Sequence, residues 1–210
     1  MSVAVRSALI VATAALSLST LAGCGSDRAP SAAAPAVAGP TREQLERALL
    51  TQAELPLGFQ RQDGGGDPTA IGCAGIDRLY LAPDTTAHAT VSFGHTTTSA
   101  FVNETIAVQP GKAAANVDGF RRAAQDCRAF SGAGQVQYRV AALTGIPAYG
   151  DATAAVRITS RLREARPVEL VAIRVGDMVV LVAHAEARTV DTDLTRTIVA
   201  RAIEKVRHAG

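Results

Sequence analysis

Chemistry that needs a thiol, an imidazole or a paired carboxylate has few residues to work with in this chain. There are three cysteines, Cys24, Cys73 and Cys127, and four histidines, His88, His95, His184 and His208. No histidine stands in an HExxH spacing, and no cysteine stands in a CxxC pair, so the ligand patterns of zinc sites are missing. The pair with most chemical interest is Glu169 with His184. A hairpin turning at Gly176-Asp177 sets them opposite each other, and a carboxylate beside an imidazole can orient it as a base. No nucleophile goes with that pair in the sequence, and the plain expectation is a cross-strand polar pair at the sheet edge. "FSGAGQ" (130–135) fails the G-x-S-x-G elbow because Ala129 stands where glycine is needed. The glycines in "QDGGGDPTAIGC" (62–73) lack the Lys-Ser/Thr of a phosphate loop and read as a surface loop. Asn103-Glu104-Thr105 is a glycosylation sequon by letter only. The expectation is no catalytic residue, no metal and no cofactor.

Cys24 asks for a different chemistry. The residues before it carry one charge, Arg6, and then the apolar stretch "ALIVATAALSLSTLAG". That stretch is short and Ala-, Ser- and Thr-rich for a membrane span but suits a secretory signal. Leu21-Ala22-Gly23 followed by Cys24 resembles the lipobox of bacterial lipoproteins. The resemblance implies a diacylglyceryl group on the Cys24 thiol and cleavage before it, with a discarded signal peptide at 1–23. Two acyl chains anchor stably, at about 0.8 kcal/mol per buried methylene, where one chain is marginal. From Gly25 to Pro40 the chain is small and polar with prolines at 30, 35 and 40, which reads as a disordered tether over 24–40. Extended, it reaches on the order of 50 Å.

About 187 residues then remain, enough for one domain with a core of its own. The formal charge of +2 and the lack of a basic stripe argue against a nucleic-acid partner. With Cys24 lipidated, Cys73 and Cys127 are left as an even pair in an exported chain, most simply a disulfide. Two free buried thiols are the alternative.

The domain at 41–210 must supply the elements. Thr41 and Gln44 form a capping box ahead of Leu45, Leu49 and Leu50. "HATVSFGH" (88–95) and "FVNETIAVQ" (101–109) read as strands. A helix over about 113–129 turns Val117, Phe120, Ala124 and Cys127 inward. Four strands follow, at 135–143, 152–161 and the two arms of 167–187. Gly176-Asp177 is a two-residue hairpin signal. It pairs Val175 with Met178, Ile173 with Val180, Val171 with Val182 and Glu169 with His184. Both faces of this hairpin are largely apolar, so it belongs at the centre of a covered sheet. A last helix, capped by Asp191 or Thr192, buries Leu194, Ile198, Ala202, Ile203 and Val206. Short turns between successive strands make the sheet mainly antiparallel and the fold class α+β, flanked by helices.

Five stretches, "ALLTQAELPLGF" (48–59), "AIGC" (70–73), "AAQDCRAF" (123–130), "YGDATAAVRI" (149–158) and "IRVGDMVVLVAHA" (173–185), carry a family resemblance. In that order they resemble the extracellular sensor-domain family of actinobacterial lipoproteins, typified by the mycobacterial receptor kinase PknH. The resemblance implies an antiparallel sheet with flanking helices and a cleft for a small ligand. The kinase domain has two disulfides where this domain has cysteines for one, so no binding residue is carried over. The function expected is a non-enzymatic, lipid-anchored binding or sensor-like protein on the extracytoplasmic face of the cell membrane. Its partners are the membrane, through Cys24, and a small molecule, lipid or envelope protein. An envelope hydrolase built on Glu169 and His184, or a structural accessory of the envelope, are the competing readings.

Overall fold

A computed structural model describes residues 39–63, 71–81, 85–131, 136–162 and 165–209. The signal, Cys24, most of the tether, and the glycine run at 64–66 lie outside these residues.

Eight strands form a single sheet in the order β1-β2-β3-β8-β7-β6-β5-β4, antiparallel at every step. They are β1 (Phe59–Gln62), β2 (Ala87–His95), β3 (Phe101–Val108), β4 (Phe130–Ser131), β5 (Gln137–Ala142), β6 (Ala152–Ser160), β7 (Val168–Val175) and β8 (Met178–Ala185). The helices are α1 (Arg42–Ala48), α2 (Ala74–Leu81), α3 (Ala113–Asp126) and α4 (Thr192–Ala209), with a 3-10 turn at Gln52–Glu54. Two meanders, β1–β3 and β4–β8, meet where β3 pairs with β8. This antiparallel α+β architecture is the one the short turns require.

The hairpin register is the one its turn dictates: Val175, Ile173, Val171 and Glu169 face Met178, Val180, Val182 and His184. Gly176 adopts φ 60°, a conformation glycine takes without a side-chain penalty. At α1 the capping box forms as expected, Gln44 N–H donating to Thr41 Oγ1 and Thr41 N–H to Gln44 Oε1. The helix stops sooner than its leucines suggest. Leu49 and Leu50 are extended yet buried with Leu45. At α4, Asp191 Oδ1 accepts from the Asp193 and Leu194 N–H groups, so Asp191 is the cap.

Each face of the sheet carries one core layer. On the first, α1 and α4 pack over β2, β7 and β8, burying Leu45, Phe93, Ile106, Ile173, Ile198 and Ile203. On the second, α3 lies over β5–β8 with α2 against it, burying Ile76, Phe120, Val156 and Leu170. The helix pairs are offset. Among the described residues, the helices of the first layer do not lie over β5–β6, where β5 is exposed and β6 is half-buried with Ile146 and Tyr149 packed beside Ala155, and those of the second do not lie over β1–β2.

Strand β1, the short β4 and helix α2 are additions to the sequence reading. Helix α2 is held hard against α3. A Cβ on Gly75 would stand 2.7 Å from the Gly119 carbonyl oxygen, so only glycine permits this approach. Two residues before it, Cys73 is bonded to Cys127, the C-cap of α3, with 5.8 Å between their Cα atoms. The expected disulfide is therefore present, and the free-thiol alternative is not. Cys73 is fully buried and Cys127 only partly so.

Candidate functional site

Three polar residues stand side by side across the middle of the first face. Arg157 on β6 pairs with Glu169 on β7, and Glu169 pairs with His184 on β8. The sequence reading placed Glu169 and His184 at the sheet edge, and here it is corrected. Strands β7 and β8 are the two central strands, and both side chains are fully buried. A two-sided apolar hairpin has to sit inside the sheet, and it takes its polar end along.

The first turn of α4 closes over this row. Glu169 Oε1 accepts from Arg157 Nε at 3.1 Å, from Arg157 Nη2, and from Thr192 Oγ1 at 2.8 Å. Glu169 Oε2 accepts from Thr195 Oγ1 at 2.6 Å. Thr195 Oγ1 also lies 2.8 Å from His184 Nδ1. A hydroxyl has one proton to give, and of its two acceptor-only neighbours, the Asp191 carbonyl at 3.2 Å and Glu169 Oε2 at 2.6 Å, the nearer and charged carboxylate takes it. Nδ1 must then carry the imidazole hydrogen and donate to Thr195. His184 and Glu169 thus meet through Thr195 and not directly.

Burial pushes the His184 pKa below its ordinary 6.5, against the pull of Glu186, Glu169 and Asp191. Nε2 has no hydrogen-bond partner among the described residues, and Glu186 Oε1 is 3.3 Å away. A buried ring beside three carboxylates is a compromise in which desolvation of the cation wins.

Among the described residues, the one hydroxyl hydrogen-bonded to His184 is that of Thr195, and it too is fully buried. A substrate carbonyl cannot approach it while α4 is docked, so the geometry gives the hydrolase reading a base and a hydroxyl with no access. What the network does is fasten the start of α4 to three strands. Its outer end is Arg157, with 39% of its side chain exposed on the uncovered half-face of β5–β6. There Arg139, Ala141, Ala155 and Thr159 share its side of the sheet.

Sequence reasoning missed Arg157, Thr192 and Thr195. The signal was available for the threonines. Two hydroxyl residues three apart on α4 share a helix face beside the apolar stripe. Arg157 alternates with buried Val156 and Ile158, which puts it on the opposite face from them.

The remaining candidates are not brought together. His88 is exposed on β2, His95 packs edge-on to Phe59 at 5.2 Å, and His208 is near the end of α4. Among the described residues, no three of His, Cys, Asp and Glu are placed to hold a metal. A buried carboxyl elsewhere, Glu104 on β3, accepts from the Leu50 N–H at 2.6 Å, and its Oε1 has no partner among the described residues. Burial drives its pKa up to about 7, against the Leu50 hydrogen bond and Lys205. Lys205 itself donates to the Leu49 carbonyl and, at 3.1 Å, to Glu54.

An eight-stranded antiparallel sheet with offset helix pairs on its two faces and a helix-to-helix disulfide defines the class of domain. Among solved structures, the extracellular domain of PknH from Mycobacterium tuberculosis has a similar fold. The match has a TM-score of 0.62 at 18% identity and covers 81% of this chain and 98% of that one. This domain has the PknH extracellular-domain fold, as the sequence resemblance implies. An uncharacterised protein from Mycobacterium smegmatis, the Rv0999 ortholog, aligns with a TM-score of 0.48 at 12% identity, over 78% of this chain and 96% of that one. No protein-family model matches the chain, and no curated protein does.

Proposed function

We propose that this chain is a lipid-anchored, sensor-like binding protein on the extracytoplasmic face of a bacterial cell membrane. The observation that carries it is the fold shared with the extracellular domain of a receptor kinase. Two features support the same reading. The Cys73–Cys127 disulfide belongs to an oxidising compartment. The offset helices leave two half-faces of a rigid sheet open to a ligand. No helix among the described residues is long and apolar enough to cross a membrane, and Cys24 after Leu21-Ala22-Gly23 supplies the anchor.

Anchoring is tested by detergent-phase partitioning and mass spectrometry of the protein expressed in a lipoprotein-processing host. The wild type enters the detergent phase as a processed, diacylated chain, and Cys24→Ala stays unprocessed and unacylated. A wild type found unacylated in the aqueous phase overturns the anchor. Binding is tested by thermal-shift screening against fractionated envelope extracts, where a domain that never shifts overturns it.

A further inference from the structure

We propose that the uncovered half-face of β5 and β6 holds the oxyanion of a small ligand, a carboxylate or a phosphate, between Arg139 and Arg157. This deepens the binding reading above and rests on it.

Arg157 has the geometry of a prepositioned donor. Its Nε and Nη2 are spent on Glu169, and Nη2 also on Thr192, so the guanidinium plane is fixed by a fully buried carboxylate. Nη1 makes no hydrogen bond among the described residues, and 39% of the side chain is exposed. A guanidinium held in this way has lost its rotamer freedom before any ligand arrives, which favours directed recognition of planar or tetrahedral oxyanions.

Arg139 supplies charge where Arg157 supplies direction. Glu169 already balances Arg157, whereas Arg139 is exposed and makes no ion pair among the described residues. On β5 it stands opposite Thr159, and Arg157 stands opposite Ala141, so the two arginines are diagonal neighbours on one face. That diagonal spans about 7–8 Å, within the joint reach of two long side chains. Ala141 and Ala155 keep the surface between them low. The acidic residues at the start of α4 do not compete for the arginines: Asp191 caps the helix and Asp193 is paired with Arg196. The half-face therefore presents one net positive charge, one directed Nη1 donor and a shallow floor, which is complementary to a monoanionic or dianionic group on a compact ligand.

The test is an NMR titration of the isotope-labelled full chain with inorganic phosphate and, separately, acetate. Ionic strength is held constant with chloride, and chloride alone is the control. Saturable shifts confined to Arg139, Ala141, Ala155, Arg157 and Thr159 support the site, and the stronger arm identifies phosphate or carboxylate. Arg139→Gln is expected to weaken binding about tenfold, the loss of one charge-assisted hydrogen bond, with an unchanged Tm because Arg139 is exposed. Arg157→Lys keeps the charge but loses the Nη1 donor that Glu169 holds in place, and is expected to weaken binding as well. Shifts equal in chloride, or spread evenly over the arginines, overturn the site. The two levels separate in thermal-shift screens of envelope extracts. A hit unaffected by Arg139→Gln overturns the oxyanion assignment and leaves the binding reading standing. A saturable phosphate or acetate site with no responding extract supports the assignment and overturns the binding reading.

Discussion

Glu104 is the residue whose replacement makes the sharpest prediction. Its carboxyl is fully buried, with Oε2 accepting the Leu50 N–H and Oε1 without a partner among the described residues. Its pKa is raised from an ordinary 4.5 to about 7, chiefly by burial. The folded state therefore holds a proton that the unfolded chain releases, so stability is full below pH 4.5 and falls as pH rises through 7. At about 1.4 kcal/mol for each tenfold in proton affinity, the loss across that window is about 3 kcal/mol. Glu104→Gln removes the titration and keeps an acceptor for Leu50. Urea denaturation of both proteins between pH 4 and pH 8 measures it. The difference in unfolding free energy should be level below pH 4.5, move by about 3 kcal/mol in favour of the variant up to pH 7, and level off again. Its constant offset reports the amide left without a partner, and its slope reports Glu104 alone. Burial lowers the His184 pKa, which removes stability as pH falls below 6.5. That contribution has the opposite sign and is common to both proteins. Parallel curves, with no slope in the difference, refute the reasoning.

Thr195→Val keeps the shape of the side chain but strips Glu169 Oε2 of a donor and His184 Nδ1 of an acceptor. It should cost about 3 kcal/mol by urea denaturation, with Thr195→Ser close to wild type, since buried unpaired groups cost about 1–3 kcal/mol each. A loss under about 0.5 kcal/mol means the hydroxyl does not link the two. Replacing Cys73 and Cys127 together by alanine opens a loop set by a sequence separation of 54 and should cost about 4 kcal/mol. Hydrogen exchange should quicken first in Ala74–Leu81 while the amides of α4 keep their protection. Uniform quickening would show that α2 does not open separately.

Elements with a periodic core or a diagnostic turn were legible in the sequence. The 167–187 hairpin was readable to the residue because Gly176-Asp177 fixes the register and its inward positions are apolar apart from the Glu169–His184 pair. The Thr41–Gln44 capping box and α4 followed for the same kind of local reason. Strand β1 was not legible: "FQRQ" buries only Phe59, and its strand character comes from pairing with β2. Helix α2 follows a glycine-rich run, and its place depends on Gly75 meeting Gly119 and on the disulfide, contacts that lie far away in sequence. The candidate site was half legible. Glu169 and His184 were found through the hairpin, whereas Arg157 and Thr195 reach them only once β6 and α4 have docked. The edge placement failed because a polar pair was weighed without the apolar residues around it.

The seam between β3 and β8 has a consequence for how the chain reaches its native state. The two strands lie 70 residues apart at their nearest ends, Val108 and Met178, which are register partners. Once β1–β3 have been synthesised, the inner side of β3 keeps its backbone donors and acceptors unpaired until β8 arrives, and its apolar residues lack the cover of α4. Pairings this remote close slowly, and an open strand edge is a template for aggregation. The final stretch of the chain is thus the latch of the whole sheet, and a truncation ahead of β8 would leave the first meander with an unsealed edge.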